Sequence, residues 1–129
     1  MSFRVLIVDD SHAMRAFIRR TLEASGFEAG DYFEASDGIE ALDLLDREWV
    51  DIILTDINMP RLNGEEFVRR LAANGLTKTL PVIVVSTDAT TTRMEHLREL
   101  GVRGYLIKPF TPEALRGLVE QALEVQHAG

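Results

Sequence analysis

Short runs of β-branched and apolar residues alternate along the chain with segments whose apolar residues recur at helical spacing. The runs predict five strands: RVLIV (4–8), DYFEA (31–35), VDIILT (50–55), PVIVVS (81–86) and GYLIK (104–108). The segments between and after them predict five helices, whose apolar stripes are Met14, Phe17, Ile18 and Leu22; Ile39, Leu42 and Leu45; Phe67, Val68 and Leu71; Met94, Leu97 and Leu100; and Leu115, Leu118, Val119 and Leu123.

Polar residues and glycines mark the expected helix boundaries. The N-terminal signals are a capping side chain with an acidic residue three positions later, or a threonine before proline: Asp37 with Glu40, Asn63 with Glu66, and Thr111 with Pro112. The predicted stops are glycines, which tolerate the left-handed backbone found after many helices: Gly26, Gly75 and Gly101.

Strict alternation of strand and helix predicts a parallel sheet with helices on both faces, and the continuous apolar runs IIL and VIVV are typical of strands buried on both sides. We therefore predict an α/β fold: a doubly wound five-stranded parallel sheet with five helices, a flavodoxin-like three-layer sandwich. The strand order 2-1-3-4-5 would bring the ends of strands one and three together, although the pattern alone does not establish that order. Trp49 precedes the third strand and is interpreted as a plug in the core.

Composition narrows the class of protein. A chain of 129 residues with 46% hydrophobic content predicts a single domain over residues 1–129. The balance of 14 basic and 21 acidic residues, net −7, argues against direct nucleic-acid binding and against an anionic-membrane binder. The absence of cysteine excludes disulfides and thiolate metal sites. No leader pattern and no apolar stretch of membrane-spanning length is seen, so we expect a cytoplasmic protein without membrane insertion.

Polar side chains follow or end four of the predicted strands, where parallel strands share one edge of the sheet: Asp9 and Asp10, Asp56, Ser86 and Lys108. Converging carboxylates repel one another, and a hard divalent cation relieves that repulsion. Oxygen ligands favour Mg²⁺ or Mn²⁺, and magnesium commonly shares its ligand shell with a substrate phosphate. A lysine and a hydroxyl at the same edge can bind phosphoryl oxygens, which leaves open whether phosphate is a ligand or a covalent adduct.

The segments VDD (8–10), LTDINMP (54–60), PVIVVST (81–87) and GYLIKPF (104–110) resemble the motifs of the response regulator receiver domain of two-component systems, of the single-domain chemotaxis-regulator type. The resemblance extends from about Arg4 to about Gln126. It implies that Asp56 accepts a phosphoryl group from a phosphohistidine of a sensor histidine kinase, or from a small phosphodonor, as an acyl phosphate.

The resemblance also implies the roles of the surrounding residues. Asp10 would bind Mg²⁺ directly and Asp9 largely through water, together with Asp56 and the backbone carbonyl of Asn58. Lys108 would neutralise charge on the transferring group, and the Lys108–Pro109 bond resembles the cis peptide of the family, which would aim the lysine into the pocket. Ser86 would sense the new phosphoryl oxygens and Tyr105 would turn inward behind it, so that this pair forms the switch.

The implied function is a phosphorylation-controlled signalling switch. It would be a single receiver domain over residues 1–129 without an output domain, and not an enzyme beyond self-phosphorylation and self-dephosphorylation. The surface of helix 4, strand 5 and helix 5 would regulate a downstream target protein, in a monomer or a weak phosphorylation-dependent dimer. Alternatives are a phosphorelay intermediate that passes phosphate to a histidine phosphotransfer protein, and an isolated receiver of a longer regulator. A nucleotide- or flavin-binding enzyme is disfavoured, because Asp9-Asp10-Ser11 stands where a Gly-rich phosphate loop would follow strand one.

One position departs from the family pattern, and two others bear on phosphate lifetime. Thr87 stands where the family usually has Ala or Gly, and its branched side chain would narrow access to the pocket. Asn58 and Asp88 occupy positions that in the family line the path of the hydrolytic water. We hypothesise that these two polar side chains permit self-dephosphorylation.

Overall fold

Five strands and five helices alternate through the described residues, as the pattern predicts. The computed structural model describes the backbone of residues 2–128 and the side chains as far as Glu124, so Met1 and Gly129 of the predicted domain range lie outside the described residues. The strands are β1 Phe3–Val8, β2 Ala29–Ala35, β3 Ile52–Thr55, β4 Val82–Ser86 and β5 Gly104–Ile107. The helices are α1 His12–Ala24, α2 Gly38–Leu45, α3 Gly64–Ala73, α4 Thr91–Glu99 and α5 Pro112–Ala128.

The strands form one parallel sheet in the order β2-β1-β3-β4-β5, which confirms the predicted topology. Val8 at the end of β1 pairs with Ala35 of β2 on one side and with Thr55 of β3 on the other. Ser86 at the end of β4 pairs with Ile107 of β5. This register makes the strands end at one common edge, so the residues that follow them leave the sheet side by side.

Two apolar layers cover the two faces of the sheet. Successive strand residues point to opposite faces, so Leu6 and Ile53 contact one layer while Val5 and Ile52 contact the other. The first layer is completed by buried residues of α2, α3 and α4, and the second by buried residues of α1 and α5. This three-layer arrangement confirms the doubly wound fold. In the described part of the chain, no helix combines the length and apolar character needed to cross a bilayer.

Most of the predicted helix boundaries are confirmed at atomic level. The side chains of Asp37 and Asn63 each accept a hydrogen bond of 2.9 Å from a backbone N–H three residues later. The Thr111 hydroxyl accepts one of 3.1 Å from the Ala114 N–H at the start of α5. Gly26 and Gly101 have left-handed backbones, with φ of 87° and 105°, as expected for glycines that follow helices.

Gly75 lies two residues after the end of α3, as Gly26 and Gly101 do after α1 and α4, so the predicted stop is confirmed in position, but Gly75 does not have a left-handed backbone. Helix α3 ends at Ala73, and Asn74 turns the chain into an extended conformation with φ of −99° and ψ of 125°. The Asn74 side chain accepts a hydrogen bond of 2.8 Å from the Leu76 N–H. Such a local side-chain contact offers the backbone an alternative to helix, so Asn74 turns the chain out of α3 and Gly75 is not needed for a left-handed turn.

Trp49 is not a core plug, because 64% of it is exposed. Its neighbour Val50 takes the buried position, and an extended segment directs adjacent side chains to opposite sides. The indole lies instead against the guanidinium of Arg4, 5.1 Å from the ring centroid, and Arg4 Nε donates to the Trp49 carbonyl at 2.8 Å. The tryptophan is therefore a surface residue held by a cation–π contact.

We expect Trp49→Ala to lower the free energy of unfolding by no more than about 1 kcal/mol, the size of a cation–π contact at an exposed site. Phe67→Ala, at a fully buried position of the first layer, should lower it by about 3–5 kcal/mol, because it removes apolar contacts and leaves a cavity. Urea unfolding followed by circular dichroism measures both variants without relying on tryptophan fluorescence. Equal losses would contradict the surface position of Trp49.

Candidate functional site

Three carboxylates meet at the common edge of the sheet. Asp9 and Asp10 follow β1, Asp56 follows β3, and one oxygen atom from each lies within 4.8 Å of the others. The parallel ladder holds two of them in place, because Asp9 N–H donates to the Ala35 carbonyl at 3.1 Å and Asp56 N–H donates to the Val8 carbonyl at 2.9 Å. The structure therefore brings together the three acidic residues that the sequence predicts at this edge.

The two oxygen atoms of the Asp56 carboxylate have different surroundings. Oδ1 accepts a hydrogen bond of 2.7 Å from the Ile57 N–H, while Oδ2 lies 3.8 Å from Lys108 Nζ. Burial raises the pKa of the Asp56 carboxyl above its usual value, and the negative charge of Asp9 acts in the same direction. The Ile57 N–H and the Lys108 charge oppose this rise without cancelling it.

Lys108 directly follows β5 and reaches across the sheet edge to the carboxylates. Its Nζ lies 3.4 Å from Asp9 Oδ2, its side chain is largely buried, and its N–H donates to the Ser86 carbonyl at 2.8 Å. The peptide bond between Lys108 and Pro109 is cis, as the sequence resemblance implies. Lysine is thus placed between the first and third strand ends, although it is distant from both in sequence.

The donor set fits a hard divalent cation. Asp9, Asp10 and Asp56 offer only oxygen atoms, and Lys108 supplies one positive charge against three negative ones. Oxygen-only ligands of this kind are what Mg²⁺ and Mn²⁺ bind in proteins. Asn58 lies in the exposed loop two residues after Asp56, and the role of its carbonyl as a ligand stays a prediction.

Ser86 and Tyr105 meet at a backbone segment outside the carboxylate cluster. The Ser86 hydroxyl is fully buried and accepts a hydrogen bond of 3.1 Å from the Asp88 N–H. The Tyr105 hydroxyl donates to the Asp88 carbonyl at 2.6 Å, and the tyrosine side chain is half-buried. The predicted switch pair is therefore linked through the backbone of Asp88, at the start of the β4–α4 loop.

The side chain of Asp88 is directed toward α4. Its Oδ1 accepts a hydrogen bond of 2.8 Å from the Thr90 N–H, and its Oδ2 lies 3.9 Å from Arg93 Nε. The Thr90 hydrogen bonds lower the pKa of the Asp88 carboxyl. Both oxygen atoms of the Asp88 carboxylate therefore have partners on the α4 side. The role of this side chain along a water path to Asp56 stays a hypothesis.

Thr87 lies at the rim of the site. It is exposed and lines a recess of about 320 Å³ together with Met14, Phe17, Lys108, Pro109 and Phe110. Phe17 and Phe110 contact each other there, with ring centroids 5.9 Å apart. The branched Thr87 side chain therefore lies in the same recess as Lys108. At this position, a threonine in place of the usual Ala or Gly would narrow access to the carboxylate cluster.

Sequence reasoning missed Gly64, although the preceding Asn63 is a predicted helix cap. Gly64 N–H donates to the Ile57 carbonyl at 2.8 Å, and a Cβ atom at this position would lie 2.2 Å from the Asp56 carbonyl oxygen. No side chain fits at that distance, so the start of α3 packs directly on the backbone of Asp56 and Ile57. The only signal in the sequence was a glycine directly after the predicted cap Asn63. The reason for that glycine is the close contact with Asp56, which only the tertiary structure shows.

Comparison with known proteins agrees with the geometry of the site. Residues 5–120 match the family described as the response regulator receiver domain. The chemotaxis protein CheY homolog of Campylobacter jejuni is 39% identical over 121 residues, 93% of this chain and 92% of that protein. The chemotaxis protein CheY1 of Helicobacter pylori is 36% identical, over 93% of this chain and 96% of that protein.

Solved structures are similar over nearly the full length. The chemotaxis response regulator CheY4 of Vibrio cholerae matches with a TM-score of 0.83 and 32% identity, covering 95% of this chain and 99% of that chain. A CheY-like receiver domain protein from Methanospirillum hungatei matches with a TM-score of 0.86 and 26% identity, covering 99% of this chain and 98% of that one.

We expect Gly64→Ala to lower the free energy of unfolding by about 1–3 kcal/mol, because the added methyl group displaces the backbone of Asp56. Gly117→Ala is the matched control: it lies in α5 with open space around it, and alanine there should raise stability by about 0.5–1 kcal/mol. Chemical unfolding of both variants provides the measurement. A neutral Gly64→Ala substitution would show that the close contact is not required.

We expect Asp56→Asn to raise the free energy of unfolding in EDTA by about 1 kcal/mol, because the amide avoids the cost of burying a carboxylate and the repulsion from Asp9, which together outweigh the lost attraction to Lys108. The substitution removes one of three crowded charges and keeps an oxygen for the Ile57 N–H. Asp43→Asn, on the exposed face of α2, removes the same charge elsewhere and should change stability by less than about 0.5 kcal/mol. A destabilised Asp56→Asn protein would argue against charge crowding.

Proposed function

The chain belongs to the response regulator receiver domain family and is a phosphorylation-dependent switch of two-component signalling; from this premise we propose that Asp56 is the residue that accepts the phosphoryl group. The observation that carries the assignment is the asymmetry of its carboxylate. Oδ1 is held by the Ile57 N–H, and Oδ2 faces Lys108. One oxygen is thus fixed by the backbone and the other is available to react beside a positive charge.

The proposed reaction is a transfer between two proteins. Asp56 Oδ2 attacks the phosphorus atom of a phosphohistidine on a sensor kinase, so that an oxygen–phosphorus bond forms and the nitrogen–phosphorus bond breaks. The electron pair of the broken bond stays on the imidazole nitrogen, and Asp56 becomes an acyl phosphate. Lys108 neutralises charge on the phosphoryl oxygens, and the strand ends supply the positioning on which such transfers depend.

A divalent cation belongs to this proposal. Asp9, Asp10 and Asp56 would hold Mg²⁺, or Mn²⁺ in its place, with the backbone carbonyl of Asn58 completing the protein's share. The support is the cluster of three carboxylates, each with an oxygen within 4.8 Å of the others. When bound, the ion neutralises negative charge on the phosphoryl group and on the crowded carboxylates.

We propose that the signal leaves through the surface of α4, β5 and α5. A polar path supports this route, since the Ser86 hydroxyl binds the Asp88 N–H, and Tyr105 binds the carbonyl of the same residue. Phosphoryl oxygens on Asp56 would accept a hydrogen bond from the Ser86 hydroxyl, and a hydroxyl drawn toward them would alter its bond with the Asp88 N–H and so the backbone to which Tyr105 is bound. The element that follows this backbone is α4.

Helix α4 has the features of a movable element. Leu97 is its buried residue, and its N-cap Thr90 makes no side-chain capping bond. Polar contacts hold the helix in addition, because Arg93 lies between Asp88 and Glu65 at 3.9 and 3.8 Å, and His96 Nε2 lies 3.0 Å from Glu65 Oε1. An element with little buried apolar surface needs little free energy to shift, which suits a phosphorylation-controlled surface.

Glu65 of α3 is the centre of this polar network. Burial acts to raise its pKa, but the hydrogen bond from Arg69 and the interactions with His96 and Arg93 outweigh burial, and the pKa of Glu65 lies below its usual value. Arg93 and His96 lie on α4, within the surface proposed for a partner protein, and both contact Glu65 in this state. A histidine kinase upstream and a target protein downstream are the partners that the proposal requires.

We expect the wild-type protein to gain the mass of one phosphoryl group when it is incubated with acetyl phosphate and Mg²⁺ and measured by intact mass spectrometry. Asp56→Asn should show no gain, because the amide cannot form the acyl phosphate. Asp43→Asn should behave as wild type, and EDTA should abolish the mass gain of both the wild-type and the Asp43→Asn proteins.

The position of the label decides the assignment. Peptide mapping should place the phosphoryl group on Asp56, and mild hydroxylamine should remove it, as expected for an acyl phosphate. A mass gain that persists in Asp56→Asn would assign the acceptor to another residue, and a gain that is independent of metal would remove the proposed role of Mg²⁺.

A further inference from the structure

We propose that Arg61 is a positioning residue for the cation site: by binding Asp37 at the start of α2, it fixes the loop that carries Asp56 and Asn58. This inference rests on the proposed function, since it concerns the binding of Mg²⁺ to the same carboxylates. Arg61 is in the loop between β3 and α3, and neither it nor Asp37 belongs to the carboxylate cluster. Its effect would therefore be exerted through the backbone.

Arg61 and Asp37 form a two-point contact. Arg61 Nε donates to Asp37 Oδ2 at 2.7 Å, and Nη2 donates to Oδ1 at 3.1 Å. Asp37 is buried, and its Oδ1 also accepts the Glu40 N–H at 2.9 Å as the N-cap of α2. The hydrogen bond from Arg61 lowers the pKa of the Asp37 carboxyl. A planar guanidinium on a carboxylate that is itself fixed by a helix has little freedom to rotate.

The backbone of Arg61 is unusual. Its φ is 62°, and it is the one non-glycine residue with a positive φ in the described part of the chain. A left-handed backbone is unfavourable for a residue with a Cβ atom, and glycine or asparagine commonly occupies such positions. The residue that carries the disfavoured backbone is also the residue that makes the two-point contact. The side-chain contact therefore holds the loop in a conformation that the backbone alone would not prefer.

A second contact joins the loop to α2 at the adjacent residues. Gly38 N–H donates to the Leu62 carbonyl at 3.2 Å, and a Cβ atom on Gly38 would lie 2.8 Å from Leu62 Cδ2. At the far end of the loop, Gly64 is bound to Ile57. The loop is thus attached at Ile57 and at Arg61–Leu62, and the proposed ligand Asn58 lies in the short stretch between these points.

Electrostatics and positioning make opposite predictions for Arg61. If the arginine acted only through its charge, removing it would make the surroundings more negative, and Mg²⁺ would bind more tightly. If it positions the loop, removing it would leave the proposed ligands Asp56 and Asn58 less well fixed, and Mg²⁺ would bind more weakly. The direction of the change in the dissociation constant therefore separates the two effects.

The test measures the Kd of Mg²⁺ for the EDTA-treated protein of 129 residues by isothermal titration calorimetry at constant ionic strength. We expect Arg61→Ala to raise the Kd about tenfold, the lower end of the effect that outer-shell partners have on metal affinity. Asp37→Asn, which keeps the helix cap, should raise it in the same direction. The double variant should be no weaker than the weaker single variant, because both changes break one contact.

Two further variants separate positioning from loss of stability. Arg61→Gly removes the contact but relieves the left-handed backbone, so the metal-free protein should unfold with nearly wild-type free energy while its Kd for Mg²⁺ rises as in Arg61→Ala. Arg61→Lys should recover part of the affinity, because lysine offers the charge without the two-point geometry. Arg70→Ala, which breaks an exposed pair with Glu66 on α3, is the control for net charge and should leave the Kd within about twofold.

The outcomes are distinguishable. A wild-type protein that fails to bind Mg²⁺ would overturn the proposed cation site, and this inference with it. A wild-type protein that binds Mg²⁺, together with Arg61→Gly and Arg61→Ala proteins that bind it equally well or more tightly, would overturn the role of Arg61 alone. If Arg61→Ala does not fold, Arg61→Gly and Asp37→Asn decide the question by the same measurement.

Discussion

Repulsion among three carboxylates at one edge of the sheet is the constraint on which the rest of the structure depends. Asp9, Asp10 and Asp56 are held together because the register of β1 against β3 pairs Val8 with Thr55. The backbone ladder and the two apolar layers stabilise an arrangement that free side chains would avoid, and Lys108 offsets only part of the charge. The fold thereby maintains a site that favours a cation and an anionic group arriving with it.

The surroundings of this site divide into a rigid part and a loosely packed part. On the α2–α3 side, the loop after Asp56 packs backbone against backbone at Gly64, and Arg61 ties it to the cap of α2. On the α4 side, the connection runs through hydrogen bonds to Asp88 and through ion pairs of Arg93. Close packing resists change in small steps, whereas polar contacts at a helix with one buried side chain exchange readily. The rigid α2–α3 side suits a site whose ligands must be held in a precise geometry. The loosely packed α4 side suits an element that must move.

Gly64 and Gly101, which lie on the two sides of this division, are glycines for different physical reasons. Gly64 is required by distance, since the Asp56 carbonyl leaves no room for a side chain. Gly101 follows α4 with a left-handed backbone and open space around it, so its role is conformational. Arg61 stands at a third kind of position, where a left-handed backbone carries a long side chain because that side chain has a buried partner.

The sequence by itself determined the alternation of strands and helices, the caps at Asp37 and Asn63, and the polar residues at the strand ends. Those features are local, because periodicity and capping depend on residues within a few positions of one another. The family motifs then assigned roles to Asp56 and Lys108 that composition alone left open. Agreement between local pattern and global fold is what makes this part of the structure predictable.

Only the tertiary structure decided which way the loop side chains face. Trp49 is exposed because Val50 takes the buried side, and Asp88 turns toward α4 because Thr90 and Arg93 bind it. The pairing of Arg61 with Asp37 joins residues 24 positions apart, and the contact of Gly64 with Asp56 depends on how α3 packs against the end of β3. Loop conformations follow from neighbours that are distant in sequence, and no local pattern encodes those neighbours.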